Sequence, residues 1–266
     1  MTSAWKLAPH VRACVAGGQV VLLDLRRSKY LGLGGDGVDA LASAVDGWPA
    51  LTARERTPAA RPNSMTSLLE RLASQGLVVA GDERRRRVPC CPEATSSLDY
   101  EGLGGVMAFR PPTLVRFLTS AAVSAAWLRF KTLDDIAHAL AARQRGLMCS
   151  PSLPPDALRA VAAAFDTLRP FAFTARDRCL RDSLALTHFL ASHRFRARWV
   201  VGVKTGPFAA HSWVQWGDVV LNDQHEHVRR FTPILIVLPG RGCRCSASWR
   251  CSGTRRRQPA PTGRVS

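Results

Sequence analysis

Near its N-terminus the chain alternates apolar and polar positions at the period of a strand. Val11 to Val15, Val20 to Leu25 and Tyr30 to Leu33 are short apolar runs separated by Gly17-Gly18 and by the basic turn Arg26-Arg27-Ser28-Lys29. That spacing predicts a three-stranded meander. After Gly34-Gly35 the period becomes helical: Val38, Leu41, Ala42 and Val45 share one face, and Asp36 and Asp39 stand at the end where the helix dipole favours acids. A second helix is expected from a cap at Ser64 or Thr66 through Met65, Leu68, Leu69 and Leu72 to Gly76, and Leu77 to Ala80 reads as a closing strand. Residues 1–81 therefore describe a small winged-helix-like unit.

From Gly81 to Pro112 periodicity gives way to an Arg run, isolated prolines and glycines, so 82–112 is expected to be a linker. Helical patterns follow over Thr113 to Phe130, from the capping-box sequence Thr132-Leu-Asp-Asp135 to about Arg143, and from Pro154-Pro155 to Leu168. Past Pro170 the pattern predicts a helix from Cys179 to Ser192, then strands over Ala197 to Val203, Ala210 to Trp216 and Val219 to Asn222. A helix followed by an antiparallel sheet makes 113–237 an α+β domain. Residues 238–266 are basic, rich in Gly, Cys and Pro, and expected to be disordered.

The chain has 266 residues and is 46% hydrophobic, enough for one large domain or two small ones. Its net charge of +17 suggests nucleic acid until the charge is located: seven arginines lie in the tail and four in the run Arg84 to Arg87, leaving +6 for the rest. That is an ordinary solvated surface, and no nucleic acid is expected as a partner. Eight cysteines, at 14, 90, 91, 149, 179, 243, 245 and 251, form no even framework, and no secretory signal opens the sequence, so reduced thiols and a cytoplasmic location are expected. The most apolar stretch, Phe117 to Leu128, has twelve uncharged residues, which is too short to span a bilayer.

One set of residues suggests chemistry. Cys179 falls in the first turn of its helix, where unpaired N–H groups and the positive end of the dipole lower a thiol pKa; Arg176 and Arg178 act in the same sense. The same donors suit a developing oxyanion. His211 opens one strand and Asp223 ends the next. A symmetric three-residue loop at 216–218 would set the two opposite each other on one sheet face, whereas a two-residue loop would put them out of phase, so a three-residue loop with Gly217 at positive φ is expected. Asp223 would then fix the tautomer of His211 while the second ring nitrogen serves Cys179. Taken singly, a helix-start cysteine also suits a buried thiol, and an Asp after a strand also suits a turn. The order and register together point to a Cys179, His211, Asp223 triad of the papain and transglutaminase type.

At these residues the chain resembles the B proteins of lasso-peptide biosynthesis, leader peptidases with a transglutaminase-like catalytic domain. The resemblance rests on Cys179-Leu180, Val201-Gly-Val203, Phe208-Ala-Ala-His-Ser-Trp-Val214 and Val220-Leu-Asn-Asp223. Separately, Val21-Leu-Leu-Asp-Leu-Arg-Arg-Ser-Lys-Tyr-Leu-Gly-Leu33 is similar to a PqqD-like element that recognises the leader of a ribosomally made peptide. The resemblance spans about 11 to 236 and implies a fused form that cuts the leader–core bond of a lasso precursor, freeing an amine for an ATP-using, asparagine-synthetase-like cyclase. It implies no cofactor for this chain. The third strand could accept the leader as an added strand, with Tyr30, Leu31, Leu68, Leu69 and Leu72 against it, although these five also suit a plain core.

Three other readings differ in chemistry. A winged-helix DNA binder would present basic or amide side chains from a recognition helix, yet the helix at 36–45 has two Asp and the one at 65–75 offers only Arg71 and Gln75. An amide-forming acyltransferase would use the same triad and thioester, and only the fused recognition element favours hydrolysis. A metal protein using His225-Glu-His227 or the tail cysteines is disfavoured because Cys90-Cys91 and Cys243-x-Cys245 lack the usual zinc spacing, so no metal is expected, and His225 and His227 are read as solvated flanking residues.

Overall fold

The computed structural model describes residues 5–34, 38–49, 62–81, 91–100, 108–146, 155–172 and 179–237. The Arg84–Arg87 run, Arg176, Arg178 and the tail lie outside them, as do Cys90 and Cys149.

The meander forms as β2 (Val11–Ala16), β3 (Gln19–Asp24) and β4 (Lys29–Leu33), antiparallel in the order β2-β3-β4, so that β4 is an edge among the described residues. A strand preceding it, β1 (Trp5–Leu7), pairs with β5 (Val45–Asp46) and β6 (Val78–Ala80) in a second small sheet. β1 and β5 were not legible as strands. The helix expected over 36–45 is confined, among the described residues, to α1 (Leu41–Ala44), because Val45 turns to extended backbone and joins that sheet. Helix α2 runs Pro62–Ser74.

β3 is apolar at every position from Val20 to Leu23, and the structure uses both faces. Val20 and Leu22 pack with Leu41, Trp48 and Leu72 in one core, whereas Val21 and Leu23 pack with Ile136, Phe165 and Phe189 in another. A continuous apolar run is what a strand buried on both sides requires. Each of these side chains contributes about 1.5–3 kcal/mol by leaving water. Thr205 also donates its hydroxyl to the carbonyl of Ala16 at 3.2 Å, and the N–H of Asp134 bonds the carbonyl of Leu25 at 3.2 Å. The first 81 residues and the rest of the chain thus share the meander as a common layer.

The second core is helical on one side. Helices α3 (Pro111–Phe130), α4 (Leu133–Gly146) and α5 (Pro155–Ala172) surround α6 (Cys179–Ser192), which is buried continuously from Asp182 to Ala191. The capping box opens α4 as its sequence demands: Thr132 accepts from the N–H of Asp135 at 3.2 Å while Asp135 accepts from the Thr132 N–H at 3.3 Å.

Against α6 lies a five-stranded sheet in the order β11-β8-β9-β10-β7: β11 is Thr232–Val237, β8 Arg198–Thr205, β9 Phe208–Trp216, β10 Val219–Val220 and β7 Ser96–Ser97. β7 comes from the stretch expected to be a linker and pairs parallel with β10. Gln215 secures the same stretch, donating to the carbonyl of Pro92 at 2.8 Å. Residues 91–100 therefore belong to the fold. Helices, a mainly antiparallel sheet and the shared meander make the chain α+β. Among the described residues no helix is long and apolar enough to cross a membrane.

Candidate active site

Cys179 stands at the first position of α6, and His211 lies in β9, paired across to Gly202 of β8. Gly202 has to be glycine, because a Cβ there would sit 2.8 Å from the ring of Trp213. That ring in turn stacks near the His211 imidazole, with centroids 6.2 Å apart. Phe231 closes another side of the imidazole at 5.2 Å.

The β9–β10 loop corrects the sequence expectation. Trp216 pairs with Val219, so the turn has two residues, with Gly217 at φ 64 as its first. The strict ladder would leave Asp223 out of phase with His211. The ladder stops early, however: β10 ends at Val220, and the side-chain oxygen of Asn222 accepts the N–H of Val214 at 2.8 Å in place of a backbone partner. The chain bends over 221–223 and swings Asp223 onto His211, with Oδ2 2.6 Å from Nε2. The nitrogen left for the thiol is Nδ1, and Cys179 and His211 are hydrogen-bonded.

Burial alone pushes the Cys179 thiol up. Hydrogen bonds from His211 and the Ser212 N–H, the charge of His211 and the Leu180 N–H outweigh it, and the thiol lies below its ordinary value. Burial depresses His211, but its hydrogen bonds to Asp223 and Cys179 and their charges raise it to about 9. Burial raises Asp223, yet donors from His211, His227 and the Gln224 N–H hold it at about 2. The shifts of Cys179 and His211 both favour an ion pair of thiolate and imidazolium, with the Asp223 carboxylate on the far ring nitrogen. Cys14, which is buried where Cys179 is half-buried, is pushed up to about 12 by burial with nothing to offset it. Among the described residues Cys14, Cys91 and Cys179 form no disulfide with one another.

A buried hydroxyl chain fixes the Ser212 N–H that faces the sulfur. Trp199 Nε1 donates to Ser183 Oγ at 3.0 Å, the Ser183 and Ser212 hydroxyls meet at 2.8 Å, and Ser212 donates to the carbonyl of Val200 at 3.0 Å. It ties α6 to β8 and β9 at the height of Cys179. Asp182, one turn into α6, takes Nδ2 of Asn222 at 3.4 Å and the Arg169 guanidinium at 3.1 Å, anchoring the bend that carries Asp223. Sequence reasoning missed Ser183, Ser212 and Asn222, although Asn222 adjoins the Asp in the quoted motif. It also left His227 as a bystander: His227 Nδ1 lies 3.0 Å from Asp223 Oδ2. His225 instead joins helix α7 (His225–Val228) to β7, its N–H bonding Ser97 Oγ at 2.6 Å.

The five residues expected to meet a leader separate into two sets. Leu31, Leu68, Leu69 and Leu72 all face the N-terminal core, and Leu72, 2% exposed, is interior to it. Tyr30 points to the opposite face, packs on the core shared with α6 and the five-stranded sheet, and meets Phe208 edge to face. Burial raises its phenol to about 12, with the Cys179 charge adding to the effect. Between the β4 edge and α2 lies a groove of about 280 Å³ lined by Gly32, Leu33, Val38, Ser67, Leu68 and Arg71.

Residues 118–236, from within α3 into β11, match the Transglutaminase-like superfamily, so this part of the chain is transglutaminase-like. The chain is also 49% identical over 45 residues to the Microcin J25-processing protein McjB of Escherichia coli, a match covering 17% of this chain and 22% of that protein. It therefore spans about a fifth of the length of this relative. No solved structure matches.

Proposed function

We propose that this chain is a cytoplasmic cysteine peptidase that binds the leader of a lasso-peptide precursor and hydrolyses the leader–core bond. The observation that carries the reading is the hydrogen-bonded array of Cys179, His211 and Asp223 on a transglutaminase-like domain. The partial likeness to a microcin-processing protein supports the substrate class.

The Cys179 thiolate attacks the scissile carbonyl, and the Ser212 and Leu180 N–H groups that hold the sulfur keep it deprotonated beforehand. As the tetrahedral intermediate collapses, Nδ1–H of His211 protonates the leaving amine of the core. The leader remains as a thioester on Cys179. His211, now neutral, takes a proton from water, the hydroxide displaces the thiolate, and the leader leaves with a free carboxylate. Asp223 holds Nε2 throughout.

The N-terminal unit serves as the PqqD-like recognition element. Among the described residues β4 is an edge strand, and its direction matters: Leu33 borders the groove, while Tyr30, near the other end, packs on the core that Leu180 also borders. A leader added antiparallel to β4 runs its C-terminal end towards the thiol, as a leader–core junction requires. The freed core amine then passes to an asparagine-synthetase-like cyclase.

The test is incubation of the full chain with the precursor peptide, followed by mass. Cleavage at one bond, absent in Cys179→Ala, supports the reading. Transfer of the leader to an added amine in preference to water would make the chain an acyltransferase. Intact precursor with both proteins would reject the peptidase.

A further inference from the structure

Asp223 Oδ2 accepts two imidazoles at once, from His211 Nε2 at 2.6 Å and from His227 Nδ1 at 3.0 Å. One donor atom from each of the three residues lies within 4.8 Å of the others, and the two rings stand 4.8 Å apart. The side chain of His227 is 43% exposed, so the cluster opens to solvent on that side, while Phe231 packs against both rings. We propose that His211, Asp223 and His227 form an inhibitory site for a divalent transition-metal ion, zinc foremost.

Two imidazole nitrogens and a carboxylate oxygen are a zinc donor set that leaves a fourth position for water. An ion about 2.0–2.1 Å from each donor holds neighbouring donors roughly 3.3 Å apart in a tetrahedral site. The two spacings to the carboxylate, 2.6 and 3.0 Å, need to open by less than about 1 Å, and the two imidazole nitrogens, within 4.8 Å of each other, need to close by up to about 1.5 Å. Asp223 can move that far because it ends the bend at 221–223 and is not held in a ladder. His227 is carried on the one-turn helix α7, which Ser97 fastens at its start, so its ring is already presented to the carboxylate.

The exchange balances simply. Zinc takes the place of the protons that bridge Nε2 and Nδ1 to the carboxylate, those protons go to solvent, and no electron is transferred. Cys179 stays outside the donor set, since its partner is the other nitrogen of His211. The ion ties up both groups on which the thiol depends, so occupancy stops turnover without touching the nucleophile. Inhibition rests on the peptidase reading above, whereas binding does not.

The experiment titrates zinc, and separately cobalt(II), into the full reduced chain by calorimetry and absorption spectroscopy, for the native protein, His227→Ala and His227→Gln. Glutamine keeps a donor towards Asp223, which guards against a folding defect, and thermal melts report on both variants. The expected result is one ion per chain, bound about tenfold or more weakly by each variant, with a cobalt spectrum free of thiolate charge transfer. Native affinity in His227→Gln, or a thiolate charge-transfer band, would overturn the site. Zinc should also arrest precursor cleavage and a chelator restore it; cleavage untouched at saturating zinc would overturn the inhibition. If the metal-free chain cleaves nothing, the peptidase reading fails while the calorimetry still decides the site.

Discussion

The rings of Tyr30 and Phe208 meet edge to face with centroids 5.5 Å apart. One belongs to the edge strand of the N-terminal meander and the other opens the strand that carries His211, so the two halves of the chain close one wall of the thiol's surroundings together. An aromatic pair of this kind is worth about 1 kcal/mol beyond its area. Tyr30→Ala should lower kcat/KM for precursor about five- to tenfold, while Tyr30→Phe, which keeps the ring, should retain most activity. Equal rates for Tyr30→Ala and the native chain would reduce Tyr30 to packing.

Asp223 acts through the imidazole. Asp223→Asn should leave binding nearly intact and cut kcat by roughly 10²- to 10⁴-fold, and Cys179→Ala should leave no cleavage. A variant that raised KM and spared kcat would place Asp223 outside the chemistry.

The pH profile follows from the same pair. On the peptidase reading cleavage needs the thiolate together with the imidazolium, so the rate should fall on the alkaline side near pH 9, where His211 loses its proton. Stability carries the same signature. His211 is raised from 6.5 to about 9, so its contribution is complete below 6.5 and is lost as pH rises through about 9. Asp223 is lowered from 3.8 to about 2, so its contribution is present above 3.8 and is lost as pH falls through about 2. Thermal melts of His211→Ala should lack the alkaline decline that the native chain shows.

Leu68 and Leu72 share a helix but should behave differently. Leu72 is interior, and Leu72→Ala should cost about 2–5 kcal/mol of stability, read by denaturant melts. Leu68 borders the β4 groove, and Leu68→Ala should spare the melt while weakening leader binding by about 1 kcal/mol, measured by fluorescence anisotropy of a labelled leader. The opposite pattern would move the recognition surface elsewhere.

What could be read from the residues is what local physics determines. The meander, α2 and α6 follow from period and α4 from its capping box, whereas Ser64 and Thr66, expected to cap α2, lie inside a helix that starts at Pro62; the order Cys179, His211, Asp223 was legible as a set. The register was not. Two-residue turn geometry forbids the pairing that brings His211 and Asp223 together, and the structure obtains it by ending β10 early and letting Asn222 stand in for backbone. A side chain replacing a ladder bond leaves no periodic trace. β1, β5 and β7 are two or three residues long, too short for any pattern, and exist because neighbours supply their partners. The two faces of Val20 to Leu23 were visible as an unbroken apolar run, but nothing local indicates what covers each face.

That run has a consequence for how the chain can be divided. A cut between residues 81 and 91 severs one covalent connection and leaves the layer formed by Val21, Leu23 and their neighbours in place. Residues 1–81 and 91–266, produced together as two polypeptides, should therefore copurify as a heterodimer made from one gene's halves. Produced apart, each should precipitate, since each would carry half of an interior as its surface.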